Sequence, residues 1–177
     1  MRLDRLPTWA KKHVVNVVVE APRDSKLKLK YEPELGAVTW GHPLPIGFAY
    51  PYDWGFVPST IAPDGDPLDA LVLSEVGTHP GIVIPCRPFG VLELEEKLES
   101  GRGRNDRLVV VPVKGRWTNE VRRPAELPRR TIDELEHFFL STIFFSHKGA
   151  RCLGWKGPRT AIKLIDSAKK AARKKAA

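Results

Sequence analysis

At 177 residues, 42% of them apolar, the chain suits one domain with a sizeable core and is not disordered by composition. No apolar stretch is long enough to span a bilayer, and the charged start from Met1 to Lys12 lacks a signal peptide's apolar run, so a cytoplasmic protein without membrane contact is expected. The net charge of +8 is uneven, with six Lys/Arg against one Asp from Lys163 onward, but no helix-turn-helix, zinc-finger or RNP signature accompanies it, so nucleic-acid binding is not expected.

Most of the chain reads as strands and turns. His13–Glu20 (HVVNVVVE) is rich in β-branched residues and stops before Pro22. Leu27–Glu32 (LKLKYE) alternates apolar and polar residues, as a half-buried strand does. Gly36 marks a turn into a short partner strand at Ala37–Trp40. Leu68–Ser74, Ile82–Phe89 and Leu108–Val113 are further apolar runs bounded by Pro or Gly. Many short strands with such punctuation predict a mainly β barrel or sandwich. Cys86 and Cys152 show neither CxxC nor Cys/His spacing, so they are read as reduced and buried rather than as a zinc site.

Two flanking helices are predicted near the end. Thr131-Ile132-Asp133-Glu134 has the form of a capping box, and apolar residues then recur at helical spacing through Phe145, which predicts a helix over 131–146. A second helix begins near Pro158, repeats Ala161, Leu164, Ile165 and Ala168, and is expected to dissolve into a basic tail from about residue 166.

The most chemically loaded segment is Asp64-Gly65-Asp66-Pro67-Leu68-Asp69. Three carboxylates in six residues repel one another unless a cation compensates them. Hard divalent ions take oxygen ligands of this kind, often one or two carboxylates plus substrate phosphates. An Asp-rich surface turn without a ligand produces the same pattern, so the loop alone leaves both readings open. Glu20 ends a predicted strand, and Lys30 and Glu32 share a strand face. A lysine among acids suits a site for phosphate and metal, where metals neutralise phosphoryl oxygens and ammonium groups hold them.

VVVEAP at 17–22, KYE at 30–32, AYPYDWGFVPST at 49–60, DGDPLDALVL at 64–73 and CRPFGVL at 86–92 resemble the soluble family I inorganic pyrophosphatases. LVVVPV at 108–113, EHFF at 136–139 and GWKGPRTA at 154–161 extend the resemblance over most of the chain, in order. The resemblance implies an OB-like five-stranded barrel with flanking helices, comprising residues 1–177 as one domain. It implies Mg²⁺-dependent hydrolysis of pyrophosphate by a metal-activated water, with Mn²⁺ a second candidate ion, and self-association, commonly as a hexamer. Asp64 and Asp69 match metal ligands, Asp66 the acceptor of the water's proton, and Glu20 and Glu32 further acids of the metal cleft. Lys30 matches a phosphate-binding lysine and Tyr50 an active-site tyrosine.

The resemblance also departs at particular positions. A family arginine is replaced by His42, and a tyrosine by Trp54. A family Asp-x-Lys pair is Asn105 and Arg107, and a Tyr-Lys pair is Thr142-Ile143. His42, Trp54 and Arg107 are therefore expected at the substrate and Asn105 at the metal. Asp106 should point away from the face that Asn105 and Arg107 share, unless a bulge intervenes. Glu95 or Glu96 is the candidate for an upstream acid. Arg122, Arg123, Lys148 and Arg151 are further cations available to refill the lost charge. Two alternatives stand beside pyrophosphate hydrolysis: an organic phosphate or diphosphate as substrate of a divergent hydrolase, and a catalytically weak homologue that binds metal or phosphate.

Overall fold

The computed structural model describes residues 2–98, 101–115, 117–144 and 149–176. The elements in chain order are β1 (Trp9–Lys11), β2 (Val14–Ala21), β3 (Leu27–Glu32), β4 (Ala37–Pro43), β5 (Asp53–Val57), β6 (Leu68–Val72), β7 (Val83–Leu98), β8 (Gly101–Arg104), β9 (Arg107–Pro112), α1 (Trp117–Glu120), α2 (Arg129–Phe144), β10 (Arg151–Lys156) and α3 (Pro158–Ala176).

β2 pairs with β5, β5 with β6, β6 with β9, β9 with β7, and β7 again with β2. This ring is a closed five-stranded barrel, the OB-like form that the family resemblance implied, and closure removes the exposed edges of these strands. β1, β8 and β10 add to its outside, while β3 and β4 form a separate hairpin. The period-2 pattern sends alternate side chains to two cores. Leu71, Leu73, Val109 and Val111 pack toward Leu135, Phe138 and Phe139 of α2. Ala70, Val72, Leu108 and Val110 pack with Ala161, Ile165 and Ala168 of α3.

Several boundaries differ from the sequence reading. β4 continues to Pro43, which pairs His42 with Lys28 across the hairpin. β7 runs on to Leu98 because it serves β2, β9, β10 and β8 in turn. α2 begins at Arg129, so Thr131 lies inside its first turn and does not cap it. Pro128 supplies the first acceptor, to the Ile132 N–H at 3.2 Å, and the two acids of the expected box pair instead with Arg129 and Arg130. Phe145 lies outside the described residues. The expected basic tail is a continuation of α3, whose Ile61 N–H to Ala168 C=O bond ties its midpoint to the barrel. Cys86 is buried and Cys152 half-buried, both unpaired. No helix among the described residues is long and apolar enough to cross a membrane.

Gly55 is required by the closure. It pairs with Val19, and a Cβ there would lie 1.9 Å from the Val18 carbonyl oxygen. Backbone cannot yield as a flexible side chain would. Gly55→Ala is expected to cost about 3 kcal/mol or more in urea unfolding, the upper range of overpacking. Gly157→Ala, with open space around its Cβ, should cost far less.

Candidate functional site

A cleft of about 920 Å³ opens at one end of the barrel, beneath the β3–β4 hairpin and beside α2. β2 brings Glu20 to it, β3 brings Lys28, Lys30 and Glu32, and β4 brings His42. Tyr50 and Trp54 form part of its wall. Asp64 and Asp66 reach it from the loop before β6, and Asp69 from β6 itself. Glu96 of β7, Asn105 before β9 and Arg107 of β9 complete the inner end. The sequence-predicted acids, cations and aromatics therefore meet in one place.

The acidic loop is shaped by its own backbone. Gly65 has φ +91°, and the Asp66 N–H donates to Asp64 Oδ1 at 3.1 Å. Asp64 and Asp66 stand exposed, while Asp69 is partly buried. Lys30 Nζ lies 3.1 Å from each Asp66 carboxylate oxygen. That bond raises the Lys30 pKa, so the ammonium remains charged beside the loop.

Glu20 is a buried acid. Its side chain accepts a 2.7 Å hydrogen bond from the Tyr31 N–H. Burial nevertheless pushes its carboxyl up to about 7, with the Asp69 charge adding to the rise and the Tyr31 bond opposing it. Burial likewise raises Asp69, opposed by the Arg107 guanidinium. Four carboxylates with oxygen donors only, two of them raised by desolvation, fit a hard divalent cation. Among the described residues no three His, Cys, Asp or Glu side chains converge as a ready-made cage. An ion such as Mg²⁺, which keeps several waters and uses one or two carboxylates, does not need one.

The inner wall is aromatic. Tyr50 and Trp54 stack with centroids 6.0 Å apart, Tyr50 leans on Phe138 and Trp54 on Phe139. Burial, with the charges of Asp69 and Glu20 behind it, raises the Tyr50 pKa and keeps its hydroxyl protonated. Arg107 Nη1 lies 2.6 Å from Asp69 Oδ2, a pairing set by the parallel register that matches Ala70 to Leu108. Asn105 donates Nδ2 to Glu96 Oε1 at 2.7 Å.

Other positions resolve in space. Asp106 points away from the cleft, accepting from the Leu94 N–H and from Arg104. Glu95 pairs with Arg102 at 3.1 Å, so Glu96 is the upstream acid that enters. Thr142 borders the cleft but turns its hydroxyl back onto the Phe138 carbonyl at 2.9 Å. The side chain of Ile143, and Lys148 altogether, lie outside the described residues. Arg122, Arg123 and Arg151 are not among the lining residues. The cation that sequence reasoning missed is Lys28, which the alternation of LKLKYE already placed on the same face as Lys30 and Glu32.

The sequence model of the family described as inorganic pyrophosphatase matches residues 17–173. An inorganic pyrophosphatase of Synechocystis sp. is 34% identical over 166 residues, covering 94% of this chain and 96% of that protein. One of Methanosarcina mazei is 34% identical over 153 residues, covering 86% of this chain and 88% of that protein. The crystal structure of inorganic pyrophosphatase from Thermus thermophilus superposes with a TM-score of 0.88 at 32% identity, covering 98% of this chain and 99% of that one.

Glu20 makes stability depend on pH in metal-free buffer. Its folded value of about 7 against an ordinary 4.5 means that folding favours the protonated form. Its contribution is therefore fully favourable below about pH 4.5 and is lost as pH rises toward 7. Thermal melts should show Glu20→Gln gaining on the wild type between pH 5 and pH 8. Parallel curves would remove this carboxyl as the cause.

Proposed function

This chain belongs to the inorganic pyrophosphatase family, and from that premise we propose how its cleft works. It hydrolyses inorganic pyrophosphate to two phosphates with water as the nucleophile. The observation that carries the residue roles is the meeting of Glu20, Asp64, Asp66 and Asp69 with Lys28 and Lys30 around one cleft.

The substrate is anionic at both ends, and each end needs its own counter-charge. Asp64 and Asp69 are the proposed ligands for Mg²⁺, with Mn²⁺ as a substitute, and Glu20 and Glu32 support them, while the Asn105 amide is turned onto Glu96 at the inner end. Bound divalent cations supply Lewis acidity, lowering the pKa of a water and neutralising phosphoryl oxygens. Asp66 takes the proton from the attacking water as its oxygen bonds to phosphorus and the bridging P–O bond breaks. Lys30 orients Asp66 in the resting site, and on β3 it is placed to turn to a phosphoryl oxygen. Tyr50, kept protonated, is a hydrogen-bond donor for the same group. Arg107 and Trp54 shape the inner end and hold the substrate from below.

Lys28 answers the loss of charge at His42. The two residues are paired across β3 and β4, so the ammonium stands at the rim where the imidazole alone would be a weak grip. A restored cation at this end favours pyrophosphate over an ester with an uncharged leaving group. Self-association belongs to the same reading and is supported by the exposure of Leu35, Trp40, Ile46 and Val76. A cytoplasmic location is part of it as well.

Phosphate release from pyrophosphate tests these roles. Asp66→Asn should lower kcat at least about a hundredfold, the scale of losing a general base. A rate within twofold of wild type would remove Asp66 from that role. Lys28→Met should raise KM about tenfold with a smaller change in kcat, as expected for a lost binding charge. Chelation should abolish turnover, and added Mg²⁺ or Mn²⁺ should restore it.

A further inference from the structure

The inner end of the cleft is already neutralised by a side chain. Arg107 Nη1 lies 2.6 Å from Asp69 Oδ2, and its Nη2 lies 3.5 Å from Glu96 Oε1. The Arg107 side chain is 12% exposed and that of Glu96 only 2%. The guanidinium carbon stands 5.5 Å from the Trp54 ring centroid and 5.9 Å from that of Phe139. Its Nε is buried without a hydrogen-bond partner. The group is therefore placed by its terminal nitrogens and by the two rings, at the expense of its third donor. A guanidinium does not lose its proton in a protein, so this charge is permanent.

The charges divide the cleft into two parts. At the inner end, Glu96 faces an arginine and an amide, because Asn105 stands where an acid would add a second negative charge. A buried carboxylate needs a counter-charge, and Arg107 supplies it. At the outer end, Glu20, Glu32, Asp64, Asp66 and the remaining oxygen of Asp69 outnumber the two ammonium groups of Lys28 and Lys30. A divalent ion gains from the outer surplus. Between Asp69 and Glu96 it would meet a fixed positive group at contact distance.

We propose that Arg107 is a resident cation that fills the position between Asp69 and Glu96, so that divalent ions bind only at the outer carboxylates. This rests on the reading that the outer carboxylates bind divalent ions. Glu96 is then an anchor for Arg107 and not a metal ligand, and the cleft holds one ion fewer than its carboxylates would otherwise accept. Trp54 acquires a purpose in the same arrangement, since its indole offers the guanidinium a stronger π face than a smaller ring would.

Isothermal titration of the metal-stripped, full-length protein with Mn²⁺ counts the bound ions without reference to activity. Arg107→Gln should bind one more Mn²⁺ per chain than the wild type, with folding checked by circular dichroism. Glu96→Gln should bind the same number as the wild type, and this second variant decides the matter if Arg107→Gln does not fold. An unchanged count in Arg107→Gln, or a count lowered by one in Glu96→Gln, would overturn the proposal while leaving the metal reading intact. A wild type that binds no Mn²⁺ would overturn both.

Discussion

The parallel pairing of β6 with β9 is the contact on which the site depends. The other pairings around the barrel are antiparallel, and this one closes the ring between them. Parallel neighbours begin at the same end, so residues at their starts stand side by side. Here those residues are Asp69 and Arg107, joined at 2.6 Å. The same contact finishes the apolar wall, since Ala70, Leu71 and Val72 meet Leu108, Val109 and Val110 behind it. Charge gathers at the barrel mouth because both faces of these strands are otherwise committed to packing.

Holding acids close together in a partly desolvated cleft opposes folding, and the frame has to offset it. Tyr31 is one means. Its N–H bonds Glu20, its hydroxyl accepts from the Leu3 N–H, and its ring stacks on Phe56 at 5.7 Å. A single residue thus ties the β3–β4 hairpin to the barrel and orients the buried Glu20 carboxyl. The hairpin in turn carries Lys28 and Lys30, so the cations and the acid they face share one mechanical link. The aromatic side of α2 does the same at the inner end, where Phe138 and Phe139 back Tyr50 and Trp54.

The residues at the inner end and at the rim are linked to one another as well as to the cleft. Asn105, Trp54 and Arg107 act as a group: an amide that donates to Glu96, a ring that faces the guanidinium, and a cation that serves two acids. Lys28 and His42 form a second group, joined by strand register. Each group joins residues from different elements into one local arrangement of charge.

The acidic loop, the strand that carries Lys30 and Glu32, the outward turn of Asp106 and a mainly β fold with two flanking helices were all legible in the sequence, whereas the choice of a barrel over a sandwich came from the family resemblance. Each is encoded within a few neighbouring residues, by alternation, by Gly and Pro, or by a cluster of like charges. The choice of Glu96 over Glu95 was not, because β7 shifts register between Pro88 and Gly90 and its alternation cannot be carried across that break. Nor was the start of α2 at Arg129, where Pro128 and two ion pairs prevail over the local capping pattern. The meeting of Arg107 with Asp69 spans 38 positions and exists only because the barrel closes. Short-range sequence determined which groups carry charge; long-range strand pairing alone decided which of them touch, since register between distant strands is set by packing the whole barrel at once.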